Sequence, residues 1–436
     1  MKRPAHELTQ PGWAVFASVA ALVIVGIACI YVTDTHYVGG HDGPANAAKQ
    51  CLRVLVSVLI GYVILRFGYQ AIAHWSYLLF FATLVLLIPL LLAKLTHSSF
   101  GGLTAPRNGA YRWLHFPGFP LQPSEVLKVA YVIALAWYLR YRQNYRTFTG
   151  LMIPFVTSLL PVGMILLQPD LGTALLILPI LLTMIFAAGA RARHLVVMIL
   201  IGVCLAPLAW DQIKGYQRAR VTAVLLQSPG FRRAVIEHPE RYRQFASKRQ
   251  AIEWEAGAGY QLVHSKNAIG SGGLFGNGWG RGVYTNSTLL PDRHNDFVFA
   301  LIGHQWGFAG SVVVLLAFSV IVVAGLRIAS ATPDPFGRLL AVGVTAMIAA
   351  QVIINIGMTV GLLPVTGMTL PFVSYGGSSL LTNFAAIALL ISVSQHRPYL
   401  LANKPFEYAR RRKTHAVETP GFGADKLKEP PVLKGV

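Results

Sequence analysis

Apolar residues in this chain come in long uninterrupted blocks, not in the alternation of a half-buried strand. Trp13 to Val32 is twenty residues without a charge, enough to cross a hydrocarbon core of about 30 Å as a helix. It is too long for a signal-peptide core, and no small-residue cleavage site follows it in Thr33–His41. Further blocks near 49–67, 72–94, 124–140, 151–167, 171–190, 195–211, 297–326, 339–363 and 379–394 predict a total of ten spans. The second is the least clean, because Arg53 and Arg66 bound its uncharged stretch Val54–Leu65, and both can snorkel. The fold class expected is an all-α polytopic membrane protein: a ten-transmembrane-helix bundle at 1–395, both termini on one side. One connection breaks the rule of short loops. Residues 211–296, between helices 7 and 8, form a long extracytoplasmic loop, and loops of that length are commonly functional. Within it, Phe231–Trp254 alternates charged and apolar residues at the spacing of one amphipathic surface helix.

Charge orients the bundle. Short loops on the terminal side hold Lys2, Arg3, Arg66, Arg140, Arg142, Arg146, Arg191, Arg193, Arg327 and Arg338, while those opposite hold Lys49, Lys94, Arg107 and Arg112. This asymmetry places both termini in the cytoplasm. Residues 396–436 read as a basic cytoplasmic tail, expected to be disordered, with Arg410–Lys413 suited to an anionic leaflet. The chain has 54% hydrophobic and only 12% charged residues, too little charge to cover a soluble protein of 436 residues. Most of its net charge of +20 divides between the cytoplasmic side and the loop 211–296, where 12 basic and 7 acidic residues leave +5. No nucleic-acid partner is expected. Cys29, Cys51 and Cys204 lie in or beside apolar runs and read as small core residues, not as a disulfide framework.

Ionisable groups at membrane depth are candidates for chemistry because they are costly there. Glu125 and Lys128 lie three apart on one helix face. Asp170 interrupts two spans in LQPDLGTA (167–174), and Asp292 and Asp296 lie four apart in LLPDRHNDFVF (289–299). An ion pair would equally explain the first two, and a helix N-cap would explain Asp170 or Asp296. Arg112, Arg218, Arg220, Arg281 and Arg293 gather in the same outward loops. The segment SKNAIGSGGLFGNGWGRG (265–282) has seven glycines but neither a dinucleotide nor a P-loop spacing, so its glycines serve tight turns or close approach to a ligand. GMTVGLLPVTGMTLPFVSYGGSS (357–379) is likewise broken by Gly and Pro, and irregular backbone at that depth must be buried or line a cavity.

Together NGAYRWLHFPGFPLQPSEVLK (108–128), LQPDLGT (167–173), YQRARV (216–221), LLPDRHNDFVF and the 361–379 stretch resemble the SEDS family, which includes RodA, FtsW and SpoVE. The resemblance runs from about residue 13 to 395, and the Gly-rich segment is closer to the RodA pattern than to FtsW. It implies a peptidoglycan glycosyltransferase that polymerises lipid II for elongation and rod shape, by inverting displacement of undecaprenyl pyrophosphate. The implied general base is Asp296. Glu125, Lys128, Arg112, Trp113, Asp170, Arg218, Arg220, Ser378 and Ser379 are the implied substrate-binding residues. Asp292 and Asp296 could also hold a divalent cation, Mg2+ or Mn2+. The implied partners are a class B penicillin-binding protein (the transpeptidase), lipid II and other elongation-complex proteins. The implied location is the bacterial inner membrane, with the active site on its extracytoplasmic face. A lipid II flippase or transporter, and a division-type FtsW polymerase, are the alternatives. Several positions depart from the family pattern: Asp292 where Glu is usual, Asn295 for Thr, His304-Gln305 for Glu-Glu, Gly282-Val283-Tyr284 for Gly-Thr-Gln, and an insertion at 228–256.

Overall fold

The computed structural model describes residues 10–35, 45–106, 110–116, 119–141, 147–210, 215–287 and 289–395. Lys2, Arg3, Arg107, Arg142, Arg146 and the tail 396–436 with Arg410–Lys413 lie outside the described residues. The chain opens with α1 (Gln10–Thr35), α2 (Ala45–Phe67), the short α3 (Tyr69–Ala73) and α4 (Ser76–Thr96). A small antiparallel hairpin follows, β1 (Leu114–Phe116) with β2 (Phe119–Leu121), and leads into α5 (Pro123–Leu139). Next come α6 (Phe148–Leu167), α7 (Leu171–Ala187) and α8 (Ala192–Trp210). The long loop holds α9 (Gly215–Leu225), α10 (Pro229–Glu237), α11 (Pro239–Tyr242), α12 (Lys248–Ile252), α13 (Tyr260–Ser271) and α14 (Val283–Asn286). The chain closes with α15 (Val298–Ala331), α16 (Pro335–Thr359) and α17 (Gly377–Gln395).

Each of the ten predicted blocks overlaps a helix, although a turn at His74–Trp75 splits 72–94 and the helix within 339–363 ends at Thr359. Among the described residues, seven helices (α1, α2, α4, α6, α15, α16 and α17) have both the length and the apolarity of a membrane span, and α7 and the described part of α8 are shorter apolar helices. α5 has 17 residues and carries Glu125 and Lys128. Packing divides the helices by environment. α5, α16 and α17 are buried along most of their length, whereas α2 exposes Leu52, Leu55, Leu59 and Tyr62 and α6 exposes Ile153, Val156 and Leu159. A surface this apolar is stable only against lipid.

The Gly-rich segment resolves one of the open readings. α15 breaks at Gly307, whose φ of 64° and ψ of −156° are not helical. The backbone groups freed by that break are taken up by the 273–278 turn. Phe308 N donates to Gly273 O at 2.9 Å and Ala309 N to Leu274 O at 3.0 Å, while Asn277 N and Gly278 N donate to His304 O and Gln305 O at 3.0 Å. A Cβ on Gly276 would lie 2.1 Å from Gln305 O. These glycines therefore serve approach to the chain's own helix, satisfying polar backbone that a bilayer cannot hydrate. His304, one of the departures, is buried there with Nδ1 2.8 Å from Ser271 Oγ.

The 231–254 stretch differs from the single amphipathic helix expected. Pro239 cannot continue a helix, and Ser247 with Gln250 forms a capping box that starts α12, so the segment folds as three short helices. They enclose a small core of Leu226, Val235, Ala246, Ala251, Trp254 and Leu262, and Trp254 Nε1 donates to Ala223 O at 2.9 Å.

Candidate functional site

Four irregular segments and one short helix meet at one end of the bundle: the hairpin, the α6–α7 break, the 289–297 turn, the 360–376 loop and α9. The turn is built around Asp292, whose φ is 51°. The peptide N–H groups of Asn295, Asp296 and Phe297 all donate to its carbonyl, at 2.9, 3.0 and 3.3 Å. This closed turn delivers Asp296 directly before α15. The 360–376 loop fixes it from the other side. Ser374 Oγ donates to Asn295 O at 2.6 Å, Tyr375 N to His294 O at 2.8 Å, and Asn355 Nδ2 to both Asp296 O at 2.9 Å and Met368 O at 2.6 Å.

Asp296 is half-buried and Asp292 exposed. Burial, then the neighbouring Asp292 carboxylate, pushes the Asp296 carboxyl up from 3.8 to about 7. Arg220 and Arg112 oppose that rise and Asp170 adds to it, so five of the predicted charged residues share one electrostatic neighbourhood. At Gly367 (φ 77°) a Cβ would sit 3.5 Å from Asp296 Oδ2 and 4.0 Å from an Arg220 Nη. The missing side chain leaves the carboxyl open to an incoming group.

Several of the remaining predicted residues tie together the segments near this centre. Asp170 caps α7 through Thr173 N at 3.3 Å, as the cap reading expected, and does more than cap. Its Oδ2 accepts from Ser124 Oγ at 2.9 Å, Gln122 Nε2 at 3.1 Å and Thr173 Oγ1 at 2.9 Å, tying α5 to α7. Arg112 donates to the carbonyls of Gln168 and Pro169 beside it. Ser378 Oγ donates to Pro120 O and accepts from Gln122 N, both at 3.0 Å, so it clamps the hairpin to α17. Ser379 Oγ meets Thr369 Oγ1 at 2.7 Å. Glu125 and Lys128 form a buried ion pair at 2.8 Å, the simple pairing that their spacing allowed. Trp113 is half-buried just before β1, and Arg218 half-buried on α9.

Sequence reasoning missed Gln122, Ser124, Asn355, Ser374 and Tyr375. Each is an ordinary polar residue whose role comes from its partner, and the only available signal was that 357–379 is broken. Asp292 and Asp296 supply two carboxylates for a cation. No group of three or more His, Cys, Asp or Glu is placed to hold a metal among the described residues. An ion there would complete its shell with oxygens of water or substrate, as Mg2+ commonly does.

The molecule is thus a multi-span helical membrane protein with a raised carboxyl and two arginines acting on it at one end of the bundle. Comparison with known proteins places it further. The profile of the FtsW/RodA/SpoVE family, described as "Cell cycle protein", matches residues 13–399, and the chain belongs to that family. It is 34% identical to stage V sporulation protein E of Bacillus subtilis over 90% of this chain and 99% of that one. It is 30% identical to peptidoglycan glycosyltransferase MrdB of Escherichia coli, over 80% and 85%. Among solved structures, it aligns with a chain of a peptidoglycan synthase complex that coordinates polymerization and crosslinking, with TM-score 0.68, 28% identity and coverage of 89% and 98%. The Thermus thermophilus rod shape determining protein RodA aligns at TM-score 0.60 and 26% identity, over 88% and 97%.

Proposed function

We propose that this protein is a peptidoglycan glycosyltransferase that polymerises lipid II, with Asp296 as general base. The observation that carries this reading is the Asp296 carboxyl, held near neutrality and open beside Gly367. A base is most effective when its pKa lies near the working pH, and such help is worth roughly 10²–10⁴ in rate. In the reaction, the acceptor sugar's 4-hydroxyl gives its proton to Asp296 as its oxygen bonds to the donor's anomeric carbon. The bond from that carbon to the diphosphate oxygen breaks, and undecaprenyl pyrophosphate leaves with the electron pair, inverting the centre. Arg220 and Arg112, whose charges act on Asp296, would stabilise the charge that develops on the leaving diphosphate. Glu125 and Lys128 neutralise each other and hold the start of α5, a positioning role. Mg2+ or Mn2+ would find its protein ligands in Asp292 and Asp296 and would supply charge neutralisation for the diphosphate.

Elongation, in place of division or sporulation, is the finer reading; it rests on the Gly-rich segment's likeness to the RodA pattern. The bundle would lie in the inner membrane with the site outward, and a class B penicillin-binding protein would cross-link the product. The test is purified protein with synthetic lipid II, with and without that partner, beside Asp296→Asn. Glycan polymer from the wild type, lost in a folded Asp296→Asn, is expected. No polymer from the wild type even with its partner overturns the reading, and lipid II crossing vesicles instead would favour the transporter.

A further inference from the structure

One cation near the site has no assigned task. Arg53 lies on α2 one turn after Gln50, and Gln50 Nε2 donates to Ser374 O at 3.2 Å. Arg53 extends over the ring of Tyr375, its Cζ 4.4 Å from the ring centroid. Side chains on a helix tilt toward its N-terminus, which for α2 is the end bearing the site. Tyr375 is bonded through its backbone N to His294 O, and its ring meets that of His294 edge to face at 5.7 Å. A single ring therefore separates Arg53 from the turn that holds Asp296.

Beyond the Tyr375 ring, no group among the described residues is seen to pair with this charge. One Arg53 Nη is shut off from solvent with no hydrogen-bond partner, and no carboxylate pairs with the guanidinium among the described residues. Neighbouring cations are committed: Lys128 to Glu125, Arg112 to the Gln168 and Pro169 carbonyls, Arg293 to those of Tyr284 and Ser287. A guanidinium stays ionised at any working pH, and leaving its donors unpaired in a sheltered place is costly. Beside it, Gly377 keeps space open: a Cβ there would lie 3.3 Å from both Arg53 Nε and Phe119 Cε2. On the same helix Leu52, Leu55 and Leu59, at i, i+3 and i+7, are exposed apolar residues that a long hydrocarbon tail could follow.

We propose that Arg53 binds the diphosphate of a polyprenyl-linked substrate, with the tail laid along α2. An arginine held over a ring can still offer N–H donors for the two-point hydrogen bonding that phosphates accept. The assignment rests on the lipid II reading for the identity of the lipid, but not for its test. Wild type, Arg53→Gln and Arg53→Lys in phosphatidylcholine nanodiscs are titrated with undecaprenyl pyrophosphate and, separately, with undecaprenol. Arg53→Gln is expected to weaken diphosphate binding about tenfold or more and to leave undecaprenol unchanged, with Arg53→Lys in between. Equal binding of the diphosphate by wild type and Arg53→Gln overturns the proposal, as does an equal loss for both lipids. Displacement by excess phosphatidylglycerol also overturns it, since the site would then read any anionic headgroup. If Arg53→Gln does not fold, the Arg53→Lys comparison decides on the same criteria. A wild type that makes no polymer while Arg53→Gln still loses diphosphate binding defeats the polymerase reading alone.

Discussion

Asp296→Asn separates the cost of a strained carboxyl from its use. In the folded protein this carboxyl is raised from 3.8 to about 7, first by burial and then by Asp292. At roughly 1.4 kcal/mol per pKa unit, keeping it ionised costs on the order of 4 kcal/mol, and its half-open position reduces that to about 2–4 kcal/mol. Because the folded value lies above the unfolded one, the stability it contributes is fully present below about pH 4 and is lost as pH rises through about 7. The asparagine variant has no such slope. Relative to wild type it should be little changed near pH 4, more stable by about 1–2 kcal/mol at pH 5, and more stable by about 2–4 kcal/mol, or a few degrees in melting temperature, at pH 8. Activity should move the other way. Wild-type polymerisation should fall about tenfold per pH unit below about 7 and level off above it, while the variant stays lower by roughly 10²–10⁴ throughout. Melting in nanodiscs with EDTA at pH 5 to 8, together with lipid II turnover at the same pH values, measures both. A variant that melts below wild type at pH 8, or that keeps activity within about tenfold, refutes the reasoning.

Breaking the buried Glu125–Lys128 pair should be far worse than removing it. Lys128→Met alone should cost about 3–5 kcal/mol, and adding Glu125→Leu should recover much of that; thermal melts of the three variants check this. Asp170→Ala removes a cap and the acceptor for three side-chain donors, so a loss of about 2–4 kcal/mol is expected, with Asp170→Asn milder; melting curves rank the two. Gly276→Ala sets a Cβ 2.1 Å from Gln305 O at a φ of 84°. It should open the Gly-rich turn, seen as faster amide exchange across 273–278 and at Phe308 and Ala309.

The departures from the family pattern have local structural explanations in two cases. His304 is held by Ser271 within the turn that repairs the α15 break, and the 228–256 insertion carries its own small core. Neither disturbs the turn that presents Asp296.

Much of this was legible in the residues themselves. Blocks of apolar residues mark helices because a bilayer tolerates no unpaired backbone, and the order of charges within LQPDLGT or LLPDRHNDFVF marks where helices stop. Asp296, Arg220 and Arg112 could be nominated because charge is costly in such surroundings. What spacing could not decide is which carboxylate stays strained and which is satisfied. Asp170 and Asp296 look alike in sequence, yet three side-chain donors surround the first, while the second feels another carboxylate and has open space beside it at Gly367. Arg53 read as a snorkelling residue until the fold put Tyr375 beneath it. Helix position is written locally, in runs of twenty residues, whereas pKa and hydrogen-bond satisfaction depend on partners brought from 50 to 320 positions away, and only the tertiary structure brings them together.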